Sequence, residues 1–219
     1  MSSKRRALLV GATGLVGKRL LGRLLDDDAY DRINTLGRRV PNVEHERAVH
    51  HVTDFWEPDL EVPPTNVLFC CLGTTIKDAG SPAAFHSIDF ELVVNTATSA
   101  AAAGADTLIV ISSVGADRES KNLYLRTKGE MEQAVTSLNY RKCGIVRPSL
   151  LLGARERLRP TEQLGKFAAH IVNPLLIGNL SKYRGVDADV VASAMIGLDR
   201  ADFDGIRIVE GNDISASGA

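Results

Sequence analysis

The chain has no dominant charge sign: 26 lysines and arginines stand against 27 aspartates and glutamates, for a formal net charge of -1. Such a balance leaves no electrostatic footprint for nucleic acid or an acidic membrane surface, so neither is an expected partner. Long apolar runs are missing too. None reaches the length that spans a bilayer, and the basic opening MSSKRR is not followed by the apolar stretch of a signal peptide. Cysteine is scarce, and Cys70, Cys71 and Cys143 all sit in apolar, strand-like runs. That is no disulfide framework, and a reducing cytosol is the expected setting. Metal-ligand spacing is absent among the cysteines. His45, His50 and His51 fit the edges of a strand better than a metal site, so no metal is expected. Neither an internal repeat nor a domain linker is found.

What is present begins at residues 7–17, ALLVGATGLVG. Four apolar residues run into Gly11, Gly14 and Gly17, and Val16, Leu20, Leu21, Leu24 and Leu25 then fall on one helical face. A buried strand, a glycine turn and an amphipathic helix form the first half of a dinucleotide-binding βαβ unit. Glycine serves there because the backbone turns tightly and a pyrophosphate must approach amide groups at the helix N-terminus. A triphosphatase phosphate loop is excluded: Ala12 and Arg19 stand where it needs glycine and a hydroxyl residue.

A second strand is predicted over residues 33–37, ending at Arg38 and Arg39. NAD-selective units carry a carboxylate near this strand end for the ribose 2′-hydroxyl, whereas two arginines suit a 2′-phosphate and hence NADP(H). Residues 48–52 predict a third strand; Asp54 beyond it either meets the adenine amino group or simply makes a turn. Pro58, Pro63 and Pro64 predict an irregular second crossover. The apolar run 66–71 ends at Leu72 and Gly73, where glycine lets backbone pass close to a ligand. Residues 82–103 predict one helix, 107–111 a fifth strand leading to Ser112 and Ser113, 123–138 a helix, and 143–146 a sixth strand. Asp26, Asp27 and Asp28 read as a solvated loop. Beyond Leu152 come a charged run, a helix over 190–198, a strand over 205–209 and a Ser/Gly-rich tail expected to be disordered after Asn212. The alternation predicts an α/β fold, a doubly wound and mostly parallel sheet in one domain over 1–219, with about 150–205 as a small substrate-side lobe.

Tyr124 and Lys128 lie four apart on a predicted helix, hence on one face. An ammonium beside a phenol stabilises phenolate and brings the tyrosine toward the range where it trades protons. Ser113, at the preceding strand end, can donate to a substrate oxygen on which charge develops.

In this order and at these intervals, Gly11 to Gly17, Ser112 and Ser113, Tyr124 and Lys128 resemble the short-chain dehydrogenase/reductase superfamily. The stretches LGRR (36–39), CCLGTT (70–75), SSVGAD (112–117), YLRTKGEME (124–132) and RPSLLLG (147–153) are similar to its atypical Tat-interacting-protein branch, over roughly residues 5–200. The resemblance implies a Rossmann fold with Thr13, Gly14, Leu15 and Val16 on the cofactor phosphates and Arg38 and Arg39 on the 2′-phosphate. It implies Leu72 and Gly73 along the cofactor, Leu151 and Arg159 over its nicotinamide end, and Tyr124 and Lys128 at both the ribose and the chemistry. Ser112 is the alternative to Ser113, because the interval to Tyr124 is short. Asp89 stands where many extended members place an asparagine, and a carboxylate there either pairs with Lys128 or alters proton relay.

The function expected is an NADP(H)-dependent oxidoreductase acting on a small carbonyl or alcohol. A cofactor-retaining epimerase or dehydratase is the neighbouring alternative. From another class comes an NADP(H)-sensing module that binds a protein partner through the charged Arg155, Glu156 and Arg157 segment. A second copy of the chain is the other candidate partner.

Overall fold

The computed structural model describes residues 4–55, 60–149, 151–152 and 185–218. Strand β1 (Arg5–Val10) alternates its side chains between two cores. Ala7 and Leu9 enter the layer beneath α1 (Leu15–Leu25) and α6 (Ala188–Arg200), while Leu8 and Val10 enter the layer beneath α4 (Leu92–Ala102) and α5 (Leu123–Thr136). A strand apolar on both faces must be covered on both, which is the physical demand behind a doubly wound sheet.

Around β1 lie β2 (Tyr30–Gly37), β3 (Ala48–Val52), β4 (Val67–Cys70), β5 (Thr107–Ile111), β6 (Lys142–Arg147) and β9 (Gly205–Glu210). Their order is β3-β2-β1-β4-β5-β6-β9, and every pairing is parallel. A short pair, β7 (Leu151–Leu152) and β8 (Val186–Asp187), stands apart. The chain runs outward from β1 to β3, then returns to the other side of β1 as β4. This reversal opens a crevice at the carboxyl ends of β1 and β4, where ligands of such sheets bind.

Three expectations are corrected. The helix predicted over 82–103 is broken: α2 (Ile76–Ala79) and α3 (Pro82–His86) lead into a π-helical turn, Ser87–Glu91, before α4. Phe85 and Asp89 both face inward across this turn, and residues 87–91 simply alternate polar and apolar, a pattern that does not mark a π turn. The tail is not disordered: α7 (Asn212–Ser217) packs on α6 with Ile214 fully buried. Asp27 is not solvated either, since Arg200 at the end of α6 pairs with its largely buried carboxylate. The 153–162 charged run, Arg159 included, lies outside the described residues.

Candidate functional site

Gly11 ends β1 with φ at +78°, a conformation that favours glycine, and a Cβ there would lie 2.5 Å from the Cys71 carbonyl oxygen. A Cβ on Gly17 would fall 2.1 Å from the Gly11 carbonyl oxygen, so the first turn of α1 presses against the loop. The Gly14 amide donates to that same carbonyl at 2.9 Å. Gly14 is the N-cap of α1 and supplies no side-chain cap, so the helix opens on backbone amides. Thr13, Leu15 and Val16 complete this turn; Val16 is buried in the core below it. The cradle fits a pyrophosphate: it has room only for backbone, and it is electropositive.

Beside it, a cleft of about 100 Å³ runs from Gly11 and Thr13 to Arg38 and Arg39 at the end of β2, floored by Phe55 and Leu72. Arg39 donates to Thr13 Oγ1 at 3.3 Å, tying the arginine turn to the glycine loop. A second cavity of about 460 Å³ adjoins it and shares Thr13 and Arg39, with Lys18 on its wall. Asp54 is exposed just beyond β3, one residue before Phe55. Phe55 and Lys18 were missed in the sequence. A lone aromatic in an irregular loop, and a lysine on the helix after the glycines, carry no periodic signal.

The second part of the site is a ladder between two helical segments. Phe85 stacks on Tyr124 with ring centroids 5.5 Å apart, and one turn on, Asp89 Oδ1 lies 2.7 Å from Lys128 Nζ. The charged rung is buried, with Asp89 at 0% and Lys128 at 3% exposure. Asp89 Oδ2 accepts the Thr74 amide at 2.8 Å, and a Cβ on Gly73 would sit 3.4 Å from Asp89 Oδ1 and 3.6 Å from Lys128 Nζ. The pair therefore lies directly under the Leu72–Gly73 backbone at the sheet edge. Burial alone would push the Lys128 ammonium down, but the Asp89 carboxylate and then Tyr124 hold it above the usual lysine range.

Ser112 and Ser113 follow β5. Leu108 and Val110 enter the layer of α4 and α5, and Ser112 is next in that alternation, 3% exposed, with a hydroxyl that finds no hydrogen-bond partner among the described residues. Ser113 is half-buried and its Oγ lies 3.4 Å from the Val114 carbonyl oxygen. Leu151, in β7, packs at the edge of the α1–α6 core. His50 and His51 are strand residues bonded to Thr35 and Asn34, and no metal-binding cluster occurs among the described residues.

The profile of the NAD dependent epimerase/dehydratase family matches residues 7–189. The chain is 33% identical over 206 residues to "Protein fmp52, mitochondrial" of Aspergillus fumigatus, covering 90% of this chain and 88% of that one. It is 35% identical over 168 residues to "Protein HTATIP2" of Rattus norvegicus, covering 74% and 69%. The solved structure "MoeE5 in complex with UDP-glucose and NAD" superposes with a TM-score of 0.70 at 13% identity, covering 96% and 80%. The name of the Aspergillus relative overturns the cytosolic expectation. Unpaired cysteines indicate a reducing environment, which does not single out one compartment. With its glycine cradle, its switch-point cleft and a profile match across most of its length, the chain belongs to the NAD dependent epimerase/dehydratase family, as an atypical short-chain dehydrogenase/reductase of the HTATIP2 type.

Proposed function

We propose that the chain is an NADP(H)-dependent oxidoreductase acting on a small carbonyl or alcohol. The observation that carries this reading is Lys128 beside Gly73, with Tyr124 one turn before it on α5, at the same sheet edge as the glycine cradle. Arg38 and Arg39, on the cleft wall, support a 2′-phosphate and so NADP(H) over NAD. The nicotinamide, when bound, supplies or accepts the hydride.

Tyr124 gives the proton to the carbonyl oxygen in reduction, and the Lys128 cation favours the phenolate left behind. Ser113 donates to the oxygen on which negative charge develops, with the buried Ser112 hydroxyl behind it. Leu72, Gly73 and Leu151 would line the cofactor, and Asp54 would serve its adenine end. Arg159 is proposed from the resemblance alone. The mitochondrial label of the relative is extended to this chain as its proposed compartment, to be checked by fractionation of expressing cells.

The deciding experiment is NADPH consumption against aldehydes, ketones and quinones, run beside Tyr124→Phe with NADPH binding verified for both proteins. Turnover abolished in Tyr124→Phe without loss of binding is the expected result. Its absence in protein that binds NADPH overturns the reductase reading for these substrates. The family matched favours a second reading, an epimerase or dehydratase. Nucleotide that survives purification supports that one.

A further inference from the structure

Lys128 is buried among few groups. Asp89 faces it from the π-helical turn, Tyr124 from its own helix and Cys70 from β4. The thiol of Cys70, pushed up to about 11 by burial, is neutral at ordinary pH. Of the carboxylates on α5, Glu130 is faced by His86, which also faces Glu91, and Glu132 is engaged by Arg147 at 2.5 Å. Among the described residues, Asp89 is thus the one full negative charge in contact with the ammonium. A buried lysine without a counter-charge gives up its proton rather than remain desolvated as a cation.

We propose that Asp89 is a positioning residue whose buried carboxylate keeps Lys128 in its ammonium form beside Tyr124. The proposal rests on the reading of Tyr124 as the proton donor, since only then does the state of Lys128 matter for turnover. Three features of the fold support it. The π-helical turn brings Asp89 inward while its neighbours Ile88 and Phe90 are only half-buried. The Thr74 amide fixes Oδ2, which leaves Oδ1 for the lysine. The Phe85–Tyr124 stack holds the two segments in the register that places the charges opposite each other.

The test is the titration of Lys128 itself, followed by NMR in protein carrying 13C-labelled lysine and assigned through Lys128→Met. In Asp89→Asn, Lys128 is expected to release its proton about two pH units or more below the unmutated protein. Turnover of that variant is expected to fall at mildly alkaline pH, where the unmutated protein keeps its ammonium, and to recover as the pH is lowered. A Lys128 titration within about half a unit of the original overturns the proposal. An unshifted Lys128 together with Tyr124-dependent turnover removes the role of Asp89 and leaves the reductase standing. A shifted Lys128 without turnover does the reverse. If Asp89→Asn does not fold, Lys128→Met is compared with the uncharged double variant Lys128→Met/Asp89→Asn at pH 8. Higher stability of the double variant is expected, and equal stability overturns the coupling.

Discussion

Arg38 and Arg39 concentrate two positive charges at the end of β2, and Arg39 is tethered through Thr13. Charge-assisted bonds to a phosphate are worth about 1.5–3 kcal/mol each. Replacing both arginines with alanine is therefore expected to weaken NADPH binding by that order per residue and to leave NADH binding nearly unchanged, as titration calorimetry would show. Equal affinity of the unmutated protein for the two nucleotides removes the NADP assignment. At this scale the sequence was most legible where chemistry demands a fixed spacing. Tyr124 and Lys128 are four apart because a helix turn requires it, and the glycines recur because the loop has no room for side chains. Asp89 was visible as a carboxylate with two open uses, pairing with Lys128 or altering proton relay, and the structure shows the pair. Its contact with Lys128 depends on the packing of two segments almost forty positions apart, and no local pattern encodes that.

Helices and strands obey periodicity, and most of them lie where the apolar pattern puts them. The exceptions are instructive. The tail after Asn212 is polar and small, so composition argues for disorder, yet one residue, Ile214, enters the core between α6 and β9. Close approach makes this possible: a Cβ on Gly197 would lie 1.7 Å from the Ser217 carbonyl oxygen. Ile214→Ala is expected to cost about 2–5 kcal/mol in denaturant unfolding, the range for emptying a buried aliphatic site. A disordered tail predicts no change. The π-helical turn escaped notice for a related reason. Over five residues a π turn and an α turn differ by a small rotation, and the sequence alone shows only alternating apolar and polar residues.

Across the whole molecule the two ends of the sheet carry different duties. The carboxyl edge holds the cradle, the arginines and the Tyr124–Lys128 pair. The opposite edge holds a buried polar knot: Tyr30 donates to Asp199 Oδ2 at 2.7 Å, Arg5 lies 2.9 Å from Oδ1, and Lys142 donates to the Asp199 and Ala201 carbonyls. Burial pushes the Asp199 carboxyl up despite the Tyr30 and Arg5 contacts. A carboxyl with a raised folded-state pKa binds a proton on folding, so its contribution to stability falls as pH rises through that window. Tyr30→Phe removes a donor and pushes Asp199 further up. It is expected to cost about 1–3 kcal/mol near neutral pH and less at pH 4, with NADPH affinity unchanged. Denaturant melts at the two pH values, beside a binding titration, check both halves.

The π-helical turn also sets how the site can change over time. The ladder of Phe85 on Tyr124 and Asp89 on Lys128 is fixed by how many residues separate its rungs, not by what the intervening side chains are. Ile88 and Phe90 pack against the core, so apolar exchanges of similar size there leave Asp89 in place. Losing one residue between Phe85 and Asp89 would instead turn the carboxylate by about 100° around the helix axis. The charged pair is tolerant of substitution and brittle to insertion or deletion, so a change in length of segment 85–91 marks a lineage that has rebuilt its proton chemistry.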